Sequence, residues 1–161
     1  MKRPWGLFLV ALALTACAGP DPNLTESGKG KPRVTVGFPE TAEPGQVVTA
    51  AVQVSNPGPG DIGTLVVSFA RVGDPSLPEP IVEPRRTLTL SGIEEIRPEP
   101  TGQSAADATF TFPGVAAGAS TTIEFDLRTP DAEGTFGNSI QVYDGAEIDR
   151  AAGARIQTEV R

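Results

Sequence analysis

The residues able to do chemistry in this chain are carboxylates and little else. Its 161 residues hold 20 Asp and Glu against 13 Lys and Arg, with one Cys, one Tyr and no His. Without histidine there is no Ser-His-Asp or Cys-His catalytic set, and no His-ligated zinc or haem. Serine-lysine chemistry needs a buried lysine, and Lys29 and Lys31 both sit in a Gly-rich stretch. The tightest carboxylate group is Asp144, Glu147 and Asp149, in the run DGAEID. Calcium takes six to eight oxygen ligands, and acidic side chains spaced around a glycine supply several. The spacing misses the EF-hand pattern, so a weak calcium site and a solvated acidic hairpin loop stand as the two readings. Glu94, Glu95 and Glu99 lie near Arg97 and read as a solvated face. Two carboxylates roughly 5–10 Å apart in a cleft could hydrolyse cell-wall glycan. Such clefts are usually lined by Trp and Tyr; beyond Trp5 there is no Trp, and Tyr143 is the only tyrosine. The chain therefore reads as a non-enzyme without a cofactor, a carboxylate-based hydrolase being the alternative.

The one cysteine, Cys17, closes an export signal. Lys2 and Arg3 precede an apolar run, Gly6 to Leu14, that is too short to span a bilayer. Leu14-Thr15-Ala16-Cys17 follows. These four residues resemble a bacterial lipobox. The resemblance implies that residues 1–16 are a cleaved lipoprotein signal peptide and that Cys17 receives a diacylglyceryl group as the first mature residue. Two or three acyl chains then hold the protein on a membrane, each buried methylene contributing about 0.8 kcal/mol. The other reading is an ordinary signal peptide with an accidental cysteine. The absence of any partner cysteine favours the lipobox, because a lone thiol is a liability in an oxidising compartment. Lipoproteins retained in an inner membrane often carry Asp after the cysteine; Ala18 here leans toward the outer membrane or cell surface.

Positioning falls to what comes after. Residues 17–32 are polar and rich in Gly and Pro, a flexible linker with a reach of about 20 Å. Residues 33–161 are one domain by size. Loss of Lys2 and Arg3 takes the net charge from −7 to about −9, a poor match for nucleic acid. From Arg33 the apolar residues alternate with period two. Strands are expected at 33–38, 46–55, 63–72, 108–112, 120–128, 135–144 and 154–161, with a short edge strand at 85–90. Turns at Glu43-Pro44-Gly45-Gln46 and Asn56-Pro57-Gly58-Pro59-Gly60 separate some of them. Pro75, Pro78, Pro80, Pro84, Pro98 and Pro100 make 73–106 irregular and rule out a long helix or central strand there. The pattern is an all-β, immunoglobulin-like antiparallel sandwich of about seven or eight strands, without a disulfide.

Two stretches resemble a bacterial cell-surface repeat domain of unknown function, the eleventh of its numbered series. They are PGQVVTAAVQVSNPGPG, with its Asn-x-Gly-Pro ending, and FPGVAAGASTTIEFDLRTPDAEGTFGNSIQVYD, with its small-residue turn at Ala117-Gly118-Ala119-Ser120 and its Asn-initiated strand at Asn138. The resemblance implies an extracellular immunoglobulin-like module with no catalytic residues. The chain has one copy, and 73–106 is unmatched. The function that follows is a lipid-anchored envelope lipoprotein, attached to the membrane through Cys17, whose module serves a structural role or contacts an envelope protein or polysaccharide. Any specific contact is expected in 73–106, because loops carry function on rigid sandwiches.

Overall fold

The computed structural model describes residues 30–70, 78–84, 90–106 and 108–161. The expected export signal (residues 1–16), Cys17 and most of the expected linker lie outside the described residues. All regular elements among them are strands: β1 (Arg33–Gly37), β2 (Thr41–Ala42), β3 (Val47–Ser55), β4 (Ile62–Ala70), β5 (Glu83–Pro84), β6 (Leu90–Ser91), β7 (Ile93–Arg97), β8 (Gly102–Ser104), β9 (Thr109–Val115), β10 (Ser120–Arg128), β11 (Gly134–Asp144) and β12 (Glu147–Val160). They build the immunoglobulin-like sandwich that the alternation predicts. A four-stranded sheet, β1-β3-β10-β7, faces a six-stranded sheet, β2-β12-β11-β4-β9-β8, and β5-β6 form a separate ribbon.

The core is made by alternation. β10 buries Ile123, Phe125 and Leu127, and β3 beside it buries Val48, Ala50, Val52 and Val54. Opposite them β4 buries Leu65, Val67 and Phe69, and β9 buries Phe110 and Phe112. Phe125 meets Phe69, Phe110 and Phe112 edge-on, with ring centroids 5.0, 5.6 and 6.3 Å apart. Such pairs add about 0.5–1.5 kcal/mol each beyond the area they bury. Packing of this kind holds the two sheets together without a disulfide.

Two buried asparagines pin loops to this core. Asn56 donates through Nδ2 to the carbonyls of Gly60 and Val115, both at 2.9 Å, and accepts the Gly58 amide. It thereby ties the Asn-x-Gly-Pro turn to the small-residue turn, whose Gly118 has φ +74° and donates its amide to the Asn56 carbonyl at 2.7 Å. Gly30 and Pro32 are buried, and Gly30 lies close against the Asn56 side chain. The last residues of the expected linker are thus part of the packed domain. Asn138 performs the matching task for the Ile81–Val82 segment.

The structure departs from the sequence reading elsewhere too. β7 is a strand where none was expected, while Glu94, Glu95 and Glu99 are exposed, as a solvated face requires. β12 begins at Glu147 rather than 154, so the acidic run DGAEID is a tight hairpin with only Gly145 and Ala146 between strands. Of the expected edge strand at 85–90, residues 85–89 lie outside the described ones, and Leu90 pairs with Pro84.

Candidate functional site

β7 and β8 border an open groove. Among the described residues β7 pairs only with β10 and β8 only with β9, so each is the edge of its sheet on the same side of the sandwich. The chain passes from one edge to the other through Pro98–Thr101, starting with a cis Arg97–Pro98 bond. The two edges and this connection enclose about 550 Å³. Ile93, Ile96 and Phe110 supply apolar lining, and Glu94, Glu95 and Glu99 supply charge. The groove falls inside the Pro-rich stretch 73–106.

Local sequence explains how β7 gets there. Gly92 precedes it with φ +84°, and a Cβ at that position would lie 2.1 Å from the Ile81 carbonyl oxygen. Only glycine allows both the backbone conformation and that approach. The Gly92 carbonyl accepts the Arg128 amide at 2.9 Å, which starts the β7–β10 ladder. A register shift then follows between Asp126 and Leu127. Pro98 cannot donate to a ladder, so the strand stops at Arg97.

On the outer face of the four-stranded sheet, Arg97 gathers three carboxylates. Its Nη1 and Nη2 donate to Asp126 at 2.7 and 3.0 Å, its Nε donates to Glu124 at 3.2 Å, and Glu95 pairs with Nη1 at 2.8 Å. Thr49 donates its hydroxyl to Asp126 at 2.6 Å. The Arg97 and Thr49 hydrogen bonds hold the Asp126 carboxyl below the usual range, and the carboxylates around Arg97 push its guanidinium up. Beside this set, Arg128 donates to Glu94 at 2.6 Å and to the Gly45 carbonyl at 2.9 Å. The Arg128 hydrogen bond, then its charge, lower the Glu94 carboxyl. Both groups are therefore ionised near neutral pH, whereas a general acid needs a raised value.

The structure splits the candidate calcium residues. Asp144 is buried and accepts backbone amides from Gly63 and Ala146 at 3.2 Å and from Thr64 at 3.5 Å. Glu147 pairs with Arg150, and Asp149 is exposed on β12. Among the described residues no group of three or more Asp, Glu, His or Cys is placed to hold a metal ion. Tyr143 is half-buried near the end of β11.

Sequence reasoning flagged Glu94, Glu95, Glu99 and Arg97 but not the role of Asp126 and Thr49. Alternation already placed Asp126 on the outward face of its strand. What it lacked was β7, which brings the arginine alongside.

No protein-family model matches the chain, and no curated protein sequence does. Several solved structures are distantly similar to the chain. The CARDB domain of a Pyrococcus furiosus protein, solved in complex with di-metal ions, is 12% identical over 81% of this chain and 89% of its own, with a TM-score of 0.47. The ASH/PapD-like domain of human CEP192 is 12% identical over 94% and 96%, with a TM-score of 0.43. A Vibrio harveyi exo-β-N-acetylglucosaminidase, in complex with N-acetylglucosamine, is 15% identical over 81% of this chain but only 18% of its own, at 0.32. Likeness of that order extends to neither ligand nor activity.

Proposed function

We propose that this chain is a lipid-anchored lipoprotein of a bacterial envelope, at the outer membrane or cell surface, whose immunoglobulin-like sandwich is a non-catalytic contact module. The anchor rests on the lipobox ending at Cys17. The module's extracellular character rests on its resemblance to the surface repeat domain of unknown function, in segments whose polar hallmarks, Asn56 and Asn138, are loop clamps rather than reactive groups.

One observation carries the non-catalytic reading: the carboxylates best placed for acid–base work are held by arginines. Arg97 engages Asp126, Glu124 and Glu95, and Arg128 engages Glu94. A glycan hydrolase needs one carboxyl protonated at working pH. Glu94, which lines the groove, is biased the opposite way.

The test uses the chain and its Cys17→Ser variant expressed in a bacterium fed an alkyne fatty acid. The parent should be labelled and sediment with membranes; the variant should be unlabelled and released. Equal labelling sinks the anchor. The purified parent, incubated with cell-wall glycan fragments, should release no new reducing ends. Release that is lost in Glu99→Gln would make the protein a hydrolase.

A further inference from the structure

The geometry points to the β7–β8 groove as the docking site for an extended, basic segment of a partner protein, added as a new strand on the edge of β7. The inference rests on the contact-module reading and gives that module its partner chemistry.

The first ground is the unpaired edge. Among the described residues the backbone of Ile93–Arg97 is paired on one side only, with β10. An exposed strand edge is a template for another chain, whose main-chain hydrogen bonds give affinity while alternate side chains find pockets. Five residues of strand offer about 17 Å of such edge. The groove beside it has a volume within the range of ligand pockets, and the buried ring of Phe110 with Ile93 and Ile96 gives it an apolar side.

The second ground is charge, which selects the occupant. Glu94, Glu95 and Glu99 line the groove, and among the described residues no Lys or Arg does. Glu95 pairs with Arg97 and Glu94 with Arg128, but Arg97 is shared with Asp126 and Glu124, so five carboxylates, Glu99 included, meet two arginines along β7 and β10 and leave this edge net acidic. Acidic side chains on an edge strand repel a second copy of that strand, which would bring its own Glu94 and Glu95 against these. The same carboxylates attract a strand bearing Lys or Arg. An edge defended against itself in this way is open to partners of the opposite sign.

The test titrates peptides into the full, isotope-labelled chain in a non-ionic detergent, following backbone amide shifts. The probes are an acetylated decapeptide of alternating Lys and Val, its Glu/Val counterpart, and the Lys/Val peptide N-methylated at alternate residues. The Lys/Val peptide should give saturable shifts at Ile93–Arg97. N-methylation should weaken it at least about tenfold, by removing main-chain donors. The double variant Glu95→Gln/Glu99→Gln should weaken it about fivefold or more. Binding indifferent to N-methylation would mean simple adhesion to an acidic surface and overturns strand addition. Equal binding of the Glu/Val peptide, shifts confined to other surfaces, or no binding of the Lys/Val peptide overturns it too. None of these results touches the anchor or the absence of glycan hydrolysis, which fail or stand by their own assays.

Discussion

The side-chain amide of Asn138 pairs with the backbone of Val82 as a strand would. Oδ1 accepts the Val82 amide at 2.9 Å, and Nδ2 donates to the Val82 carbonyl at 2.9 Å. Oδ1 also takes the Ile81 amide at 3.0 Å. Ile81 and Val82 are buried, so their amides have no recourse to water. One side chain on β11 thus satisfies a segment that crosses between the sheets. That segment in turn places the Ile81 carbonyl against Gly92, the residue that launches β7.

Asn138→Ala should therefore cost about 3 kcal/mol or more, since it leaves two buried amides and a carbonyl unpaired at about 1–3 kcal/mol for each such group. Urea unfolding measures the loss. Hydrogen exchange adds location: the amides of Ile81 and Val82 should exchange faster than those of β3. Gln141→Ala, an exposed site on the same strand, should stay within about 0.5 kcal/mol. Equal costs for the two variants would remove Asn138 from its role as clamp.

Phe125→Ala should cost about 3–5 kcal/mol, the range for a large core aromatic. Its ring is fully buried among Phe69, Phe110 and Phe112, which come from the opposite sheet and cannot easily close the gap. Thr122→Ala, on the outward face of the same strand, should cost little. Thermal melts that rank the two variants together would place β10 in the wrong register.

How much could be read in advance depended on alternation. β3 and β10 carry it without interruption, and their spans, faces and core residues follow from it. β7 was missed because IEEIR places two glutamates between its apolar residues and runs straight into Pro98. Its strand character comes from pairing with β10, a tertiary effect with no local period. The first half of β12 was missed for the complementary reason. Ala151, Ala152, Gly153 and Ala154 alternate no hydrophobics, and the hairpin is held from β11. β2, β5, β6 and β8 have two or three residues each, fewer than a period-two pattern needs to be visible. The groove joins two of these weak elements, so its carboxylates could be named from sequence but not brought together.

Acid should weaken the domain partly through Asp126. Its carboxyl is held below the ordinary value by the Arg97 and Thr49 hydrogen bonds. A depressed folded-state value means that its contribution is fully present above the unfolded value, about 3.9. It is lost as pH falls through the lower, folded value. The melting temperature should fall below about pH 4, and Asp126→Asn should flatten part of that fall. The pair is solvent-accessible, so added salt should shrink the difference between parent and variant. Identical acid profiles in low salt would show that Asp126 contributes nothing to the linkage.

The acidic hairpin gives the last expectation. Millimolar calcium should leave the melting temperature nearly unchanged. Asp144 already directs its oxygens at the amides of Gly63, Thr64 and Ala146, and Glu147 pairs with Arg150. To serve calcium, Asp144 would have to give up its bonds to these amides, each contributing about 0.5–1.5 kcal/mol. A site with a Kd of about 10 μM would raise stability by about 2.7 kcal/mol at 1 mM calcium, through mass action. For a domain of this size that is a shift of several degrees. The variants separate the two roles. Asp144→Ala should lower the melt in the absence of calcium, because the amides lose their acceptor. Asp149→Asn, exposed on β12, should change nothing with or without the ion. A calcium-dependent rise that disappears in Asp149→Asn would instead make this hairpin a metal site.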